Sequence, residues 1–212
     1  MQIDFYHLIR QLTIRLRQPL PGQQAHEPLR AIPTGDIRPN FQHSTPPKPG
    51  AVLILLYPDE GKIKFPLTKR ADYGGTHGGQ LSFPGGKAEP GETMEQTAVR
   101  EAEEEIGIHR SNIEIVGRLS DFFVIPSNFI VTPVIAWQSV KPAFIPDPIE
   151  VERVLEGSVE ALLRDDAIRV KEILAARIYK LTAPHFVFDN EIVWGATAMM
   201  LNEFRTVLKE IS

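Results

Sequence analysis

The chain has 212 residues, a net charge of −4 and no cysteine. Its length and its hydrophobic content of 42% suit one domain with a substantial core. The lack of cysteine excludes disulfides, zinc–thiolate sites and thiol nucleophiles. The acidic balance and the absence of a basic stretch argue against nucleic-acid binding. The first residues lack the regions of a signal peptide and no apolar run is long enough to span a membrane, so we expect a cytoplasmic protein without membrane association.

The N-terminal part divides into two segments of different character. Residues 2–17 have the apolar spacing of an amphipathic helix, and residues 19–49 contain 8 of the 18 prolines. Proline excludes helix interiors and central strands, so residues 19–49 are predicted to form an extended linker or wrapping arm. We assign 1–45 to this helix and Pro-rich linker and 46–212 to the main domain. The helix either packs on its own domain, crosses to a partner in a homodimer or covers the mouth of the active site.

The rest of the chain alternates between strand and helix patterns. The apolar run at 51–57, ended by a turn, predicts a buried strand that forms a hairpin with the next one. Helices on both sides of a mixed sheet make an α/β fold, an α/β/α sandwich. The predicted strands are 51–57, 62–69, 113–124, 129–138, 178–188 and 191–194, and the predicted helices are 94–106, 158–175 and 195–209.

The helix at 94–106 has clear signals at both ends. Thr93 is a suitable N-cap residue, and Gln96, three positions later, completes a capping box. Gly107 stands where a left-handed residue is expected to end the helix. These signals fix the helical phase of the residues between them.

Three carboxylates of this helix, those of Glu101, Glu104 and Glu105, share one arc beside an apolar stripe. Like charges four residues apart cost about 0.2–0.5 kcal/mol, so helix stability does not select this arrangement. Between Lys87 and Arg110 there are seven acidic residues against the single Arg100, a net charge of −6. A solvated acidic face is the ordinary interpretation, but such faces usually interleave cations. We therefore favour a site for Mg²⁺ or Mn²⁺, which prefer oxygen ligands.

The loop before this helix, Phe83–Gly86, ends in two glycines that let the backbone approach a metal or a phosphate closely. Lys87 is followed by Ala88 instead of Ser or Thr, which excludes a Walker A loop. The glycines at 74–79 do not fit the dinucleotide pattern G-x-G-x-x-G. We still expect a phosphorylated ligand, although the chain contains neither of these two common nucleotide-binding motifs.

The segment from Gly86 to Ile108 resembles the Nudix box, G-x5-E-x7-R-E-U-x-E-E-x-G-U, with U apolar. The resemblance implies the Nudix fold and hydrolysis of a nucleoside diphosphate linked to another moiety. It implies a catalytic set of Arg100, Glu101 and Glu104, with Glu101 as one candidate for the general base, and structural roles for Glu92, which pairs with Arg100, and for Gly107. The implied metal ligands are Glu101, Glu104, Glu105 and the carbonyl of Gly85.

Further segments look like the coenzyme A diphosphatase subfamily, namely 67–70, 77–86, 126–134, 148–151 and 192–198. Gly75 departs from that pattern, which has an arginine between Arg70 and His77. Arg70 and His77 are candidate phosphate ligands, Gly86 lies in the loop that approaches the substrate, and Phe83 is either a wall for an adenine ring or a core residue. Glu150 is a candidate extra base or metal ligand.

The function implied by the resemblance is metal-dependent cleavage of coenzyme A or acyl-coenzyme A to 3′,5′-ADP and (acyl-)phosphopantetheine. The partner is then a small nucleotide-type molecule. One alternative is the same chemistry on ADP-ribose, dinucleoside polyphosphates or nucleotides. A second alternative, from another class, is a Nudix-fold module that binds a nucleotide without hydrolysing it.

Overall fold

The computed structural model describes residues 4–37, 40–71 and 80–211. No helix within these ranges is long and apolar enough to cross a membrane. The α-helices of the described residues are α1 (Phe5–Arg15), α2 (Gln23–His26), α3 (Met94–Ile106), α4 (Val159–Leu163) and α5 (Gly195–Ile211).

The strands of the described residues form two sheets. They are β1 (Ile32–Pro33), β2 (Lys48–Asp59), β3 (Lys62–Arg70), β4 (Leu81–Ser82), β5 (Gly85–Lys87), β6 (Glu114–Arg118), β7 (Phe122–Val124), β8 (Phe129–Trp137), β9 (Val151–Ser158), β10 (Arg169–Ala175), β11 (Tyr179–Phe188) and β12 (Glu191–Val193). The larger sheet has the order β4-β3-β2-β8-β6, with β5 on β2, β7 on β8 and β9 on β3. Its β2–β8 pair is parallel and its other pairs are antiparallel, so the sheet is mixed. The smaller sheet joins β1, β11, β10 and β12.

Helices cover both faces of the larger sheet. Successive side chains of β2 point to opposite faces, so its apolar residues make both faces hydrophobic. Leu53 and Leu55 pack in a cluster with the apolar stripe of α3. Ile54 and Leu56 belong to the second cluster, which contains side chains of α1 and α5. This arrangement confirms the predicted α/β/α sandwich, and of the described α-helices α3 covers one face by itself.

The N-terminal helix packs on its own chain. Leu8 and Leu12 are buried in the cluster that also holds α5, and the ring of Phe5 lies 5.7 Å from that of Trp137 in an edge-on contact. The segment after it is less extended than predicted because it contains the short helix α2, whereas its strand β1 is extended as expected. The boundary at 45/46 and the homodimer stay predictions.

Two predictions about secondary structure were wrong in part, and one long strand was missed. The helix predicted at 158–175 ends with α4, and residues 169–175 form β10 instead, because they pair with β11 along seven registered positions. The strand predicted at 113–124 is divided into β6 and β7 by the irregular residues 119–121, where the Ser120 amide and hydroxyl both donate to Glu203 of α5. The strand β9 was not predicted at all.

Candidate active site

The helix α3 has both predicted end signals. Thr93 Oγ1 accepts a hydrogen bond from the Gln96 amide at 3.3 Å, and the Gln96 side chain accepts one from the Thr93 amide at 2.9 Å. Gly107 ends the helix at φ 70°, and a Cβ at this glycine would lie 2.8 Å from the Cβ of Ile145. The two caps fix where α3 begins and ends, and its apolar stripe fixes its rotation on the sheet. Together they determine which carboxylates face the loop that contains β5.

The two glycines of β5 lie directly against two of these carboxylates. The amide of Gly85 donates to Glu105 Oε2 at 3.2 Å. A Cβ on Gly86 would overlap the carboxylate of Glu101. Because β5 is itself hydrogen-bonded to β2, the sheet holds this backbone at a constant distance from α3. Glycine at 86 is therefore required for the position that Glu101 takes.

Arg100 connects the loop to the helix. Its Nε and Nη2 donate to the two carboxylate oxygens of Glu92 at 2.7 and 3.1 Å, and Nη2 also donates to the carbonyl of Lys87 at 3.0 Å. Its Nη1 donates to Glu101 Oε1 at 2.9 Å and to Glu104 Oε2 at 3.0 Å. The hydrogen bonds from Arg100 are the main cause of the lowered pKa of Glu92, about 2. The pairing of Arg100 with Glu92 is present as expected, and the same guanidinium also serves two of the predicted metal ligands.

Glu105 and Glu101 are carboxylates whose charged forms are disfavoured. Burial raises the pKa of Glu105 to about 7, against the hydrogen bond from Gly85 and the attraction of Arg70, and repulsion by Glu150 and Glu101 adds to the rise. Burial also raises the pKa of Glu101, opposed by Arg100 and reinforced by repulsion from Glu104 and Glu150. These carboxylates therefore form a region in which a divalent cation would relieve both repulsion and desolvation.

The β3–β9 pair brings Arg70 and Glu150 to the same region. Arg70 ends β3 opposite Val151, the first residue of β9, and the amide of Ala71 donates to the carbonyl of Glu150 at 3.1 Å. The charge of Arg70 lowers the pKa of Glu105, and the charge of Glu150 raises it. Two residues distant in sequence, one basic and one acidic, are thus placed beside the carboxylates of α3.

Of the two alternatives for Phe83, the core residue is confirmed, because its side chain has an exposed fraction of only 1% and packs against Phe65. One expectation about this region was wrong. The acidic helix does not lack countercharges, because Arg110 pairs with Glu103 and Arg118 pairs with Glu95. His77 lies outside the described residues.

The residues fit a Mg²⁺ or Mn²⁺ ion by their chemistry. The donors are carboxylate oxygens, which these cations prefer. Within residues 4–37, 40–71 and 80–211, no three acidic or imidazole groups already meet as a closed metal cage. Glu104 in particular has a side chain that is 60% exposed and turned toward Arg100. Ligation by Glu101, Glu104, Glu105 and the carbonyl of Gly85 stays a prediction.

Comparison with known proteins gives a family match over most of the chain. The family model described as the NUDIX domain matches residues 47–177. The chain is 38% identical over 173 residues to Nudix hydrolase 22, chloroplastic, of Arabidopsis thaliana, covering 76% of this chain and 56% of that protein. It is 42% identical over 172 residues to Nudix hydrolase 15, mitochondrial, of the same organism, covering 77% of this chain and 60% of that protein. The chain therefore spans only a little over half the length of these two relatives.

Among solved structures, the chain is similar to RenU, a Nudix hydrolase from M. smegmatis. The TM-score is 0.56 at 19% sequence identity, covering 79% of this chain and 89% of that one. At this identity the likeness concerns the fold.

Gly86→Ala tests the contact between β5 and Glu101. The added methyl group would displace the carboxylate, and we expect Mn²⁺ affinity, measured by calorimetric titration, to fall about 10-fold. Lys87→Ala, one residue further along the same strand, is the control and should bind Mn²⁺ as the wild type does. Unchanged affinity in a folded Gly86→Ala variant would contradict the assignment of Glu101 as a ligand.

Glu105→Gln tests the buried carboxylate through the pH dependence of stability. The folded-state pKa of about 7 lies above the ordinary 4.5, so ionisation of Glu105 destabilises the metal-free fold progressively as pH rises through that window. Denaturant unfolding in EDTA at pH 4.5 and pH 8 should show the variant gaining about 3 kcal/mol over the wild type at the higher pH. A difference between the two proteins that does not change with pH would show that Glu105 has no raised pKa.

Proposed function

The chain belongs to the Nudix domain family, and on that premise we propose that it is a Mg²⁺- or Mn²⁺-dependent hydrolase of a pyrophosphate linkage in a nucleoside diphosphate derivative. One observation carries this proposal: the carboxylates of Glu101 and Glu105 meet the glycine backbone of β5, with Arg100 bridging to Glu101 and Glu104. This arrangement costs stability in the metal-free fold. A bound divalent cation would offset that cost, which is a reason to expect function at the site.

In this mechanism Glu101, Glu104 and Glu105 hold the metal. When bound, the metal polarises the phosphate oxygens, helps to generate the nucleophile and neutralises charge on the leaving oxygen. Arg70, beside the cluster, binds a phosphate oxygen through its guanidinium. Glu101 accepts the proton of the attacking water, and Glu150 is the second candidate for that role because it faces the same cluster.

We infer that the substrate is coenzyme A or an acyl-coenzyme A. The support is the resemblance of the segments outside the box to the coenzyme A diphosphatase subfamily. Two of those segments are adjacent in space, since the Thr197 hydroxyl donates to the Leu81 carbonyl at 3.0 Å. Water attack on the pyrophosphate would release 3′,5′-ADP and (acyl-)phosphopantetheine. Cytoplasmic localisation and a homodimer remain expectations that accompany this proposal.

Incubation with a substrate panel tests the proposal. The purified chain is incubated with Mg²⁺ or Mn²⁺ and coenzyme A, an acyl-coenzyme A, ADP-ribose, diadenosine polyphosphates or nucleoside triphosphates, and products are resolved by mass spectrometry. We expect the two coenzyme A compounds to be hydrolysed with the highest kcat/KM. Preference for another compound would retain the chemistry and refute the substrate, whereas no turnover at all would favour the nucleotide-binding module.

Glu104→Gln tests metal-dependent hydrolysis with a neighbouring control. Removal of one carboxylate ligand should lower kcat by about two to four orders of magnitude, since the metal supplies most of the charge stabilisation. Glu103→Gln removes the adjacent carboxylate, which pairs with Arg110 instead, and should retain near-normal kcat. Equal kcat values in the two variants would count against Glu104 as a metal ligand.

A further inference from the structure

Thr97 is a buried polar residue of α3 whose hydroxyl bonds outside its own helix. Its exposed fraction is 0%. A threonine within a helix commonly bonds the carbonyl of the preceding turn. Here Oγ1 instead donates to Glu92 Oε2 at 2.8 Å, across to the loop that leads into the helix. The hydroxyl therefore contributes to loop geometry in addition to helix packing.

The carboxylate of Glu92 accepts hydrogen bonds from three directions. Its Oε1 accepts from Arg100 Nε at 2.7 Å. Its Oε2 accepts from the Thr97 hydroxyl, from the Glu89 amide at 2.9 Å and from Arg100 Nη2 at 3.1 Å. These donors fix the plane of the carboxylate. Because Arg100 binds this carboxylate through two parallel hydrogen bonds, the plane of its guanidinium is fixed as well. The remaining nitrogen, Nη1, is thereby directed at Glu101 and Glu104.

We propose that Thr97 is a positioning residue, whose hydroxyl orients Glu92 so that Arg100 is held against Glu101 and Glu104. This proposal rests on the function proposed above for these carboxylates. Among the described residues, loss of the hydroxyl leaves Glu92 with hydrogen bonds from the Glu89 amide and from Arg100. The carboxylate and the guanidinium can then rotate together, which moves Nη1 away from the two residues that it aligns. Outer partners of this kind typically change metal affinity about 10- to 100-fold when removed.

The experiment compares Thr97→Val, which keeps the branched shape and removes the hydroxyl, with Thr97→Ser, which retains the hydroxyl. Thr206→Val is the matched control, because that threonine donates to the Asn202 carbonyl at 2.8 Å within α5, a helix whose side chains pack in the other core cluster. Two quantities are measured in each variant of the 212-residue chain. The first is Mn²⁺ affinity by calorimetry, and the second is hydrogen exchange of the Arg100 Nε–H by NMR without metal.

We expect Thr97→Val to bind Mn²⁺ about 10-fold more weakly and to exchange the Arg100 Nε–H faster, with Thr97→Ser and Thr206→Val close to the wild type. Wild-type values in Thr97→Val, or equal losses in the Val and Ser variants, would overturn the proposal. A wild-type chain that binds no Mn²⁺ would refute the proposed function instead. The exchange rate of the Nε–H, which requires no metal, would then decide the role of Thr97 by itself.

Discussion

The close approach of two α3 carboxylates to the backbone of Gly85–Gly86 is the contact on which the site depends. It requires a strand, β5, that is fixed to β2 by hydrogen bonds, and a helix whose apolar stripe fixes its rotation over the same sheet. It also requires the absence of a side chain, since a Cβ at Gly86 would occupy the place of the Glu101 carboxylate. Fold and site are therefore determined by the same packing of α3 on β2.

The charges of the site are compensated unequally. Arg100 serves Glu92, Glu101 and Glu104 with one guanidinium, whereas among the described residues Glu105 receives a hydrogen bond from the Gly85 amide and the electrostatic attraction of Arg70. Burial of a carboxylate with so little compensation opposes folding at neutral pH. Local arrangements that cost stability are expected mainly where a ligand offsets the cost, and this one coincides with the box motif.

The sequence predicted the box helix well because its signals are local. Capping residues and helical periodicity act within one turn or two, so Thr93, Gly107 and the carboxylate arc follow from spacing alone. The countercharges were missed because Arg110 and Arg118 lie beyond the helix and reach back to it. Glu150 joins the cluster only through the pairing of β9 with β3, and β9 was not predicted. Strand pairing between distant segments is the information that periodicity does not contain.

Contacts between segments that are distant in sequence also explain why the prediction for residues 169–175 differs from the structure and why, of its two alternatives, Phe83 is a core residue. Residues 169–175 contain helix-compatible residues, and only the partner strand β11 selects the extended form. Phe83 stands next to the glycines in sequence, yet its ring packs against Phe65 in the core, whereas the backbone of Gly85 and Gly86 lies against the carboxylates of α3.

The nitrogens of the Arg100 guanidinium have two different kinds of partner, structural residues and predicted metal ligands. Nε and Nη2 bind Glu92 and the Lys87 carbonyl, which join the loop to the helix, whereas Nη1 alone contacts Glu101 and Glu104. A metal ion held by Glu101 and Glu104, as proposed above, would replace the hydrogen bonds of Nη1. The hydrogen bonds of Nε and Nη2, which join β5 to α3 through Glu92 and Lys87, involve neither of these two carboxylates, so this junction would not have to break to admit the ion.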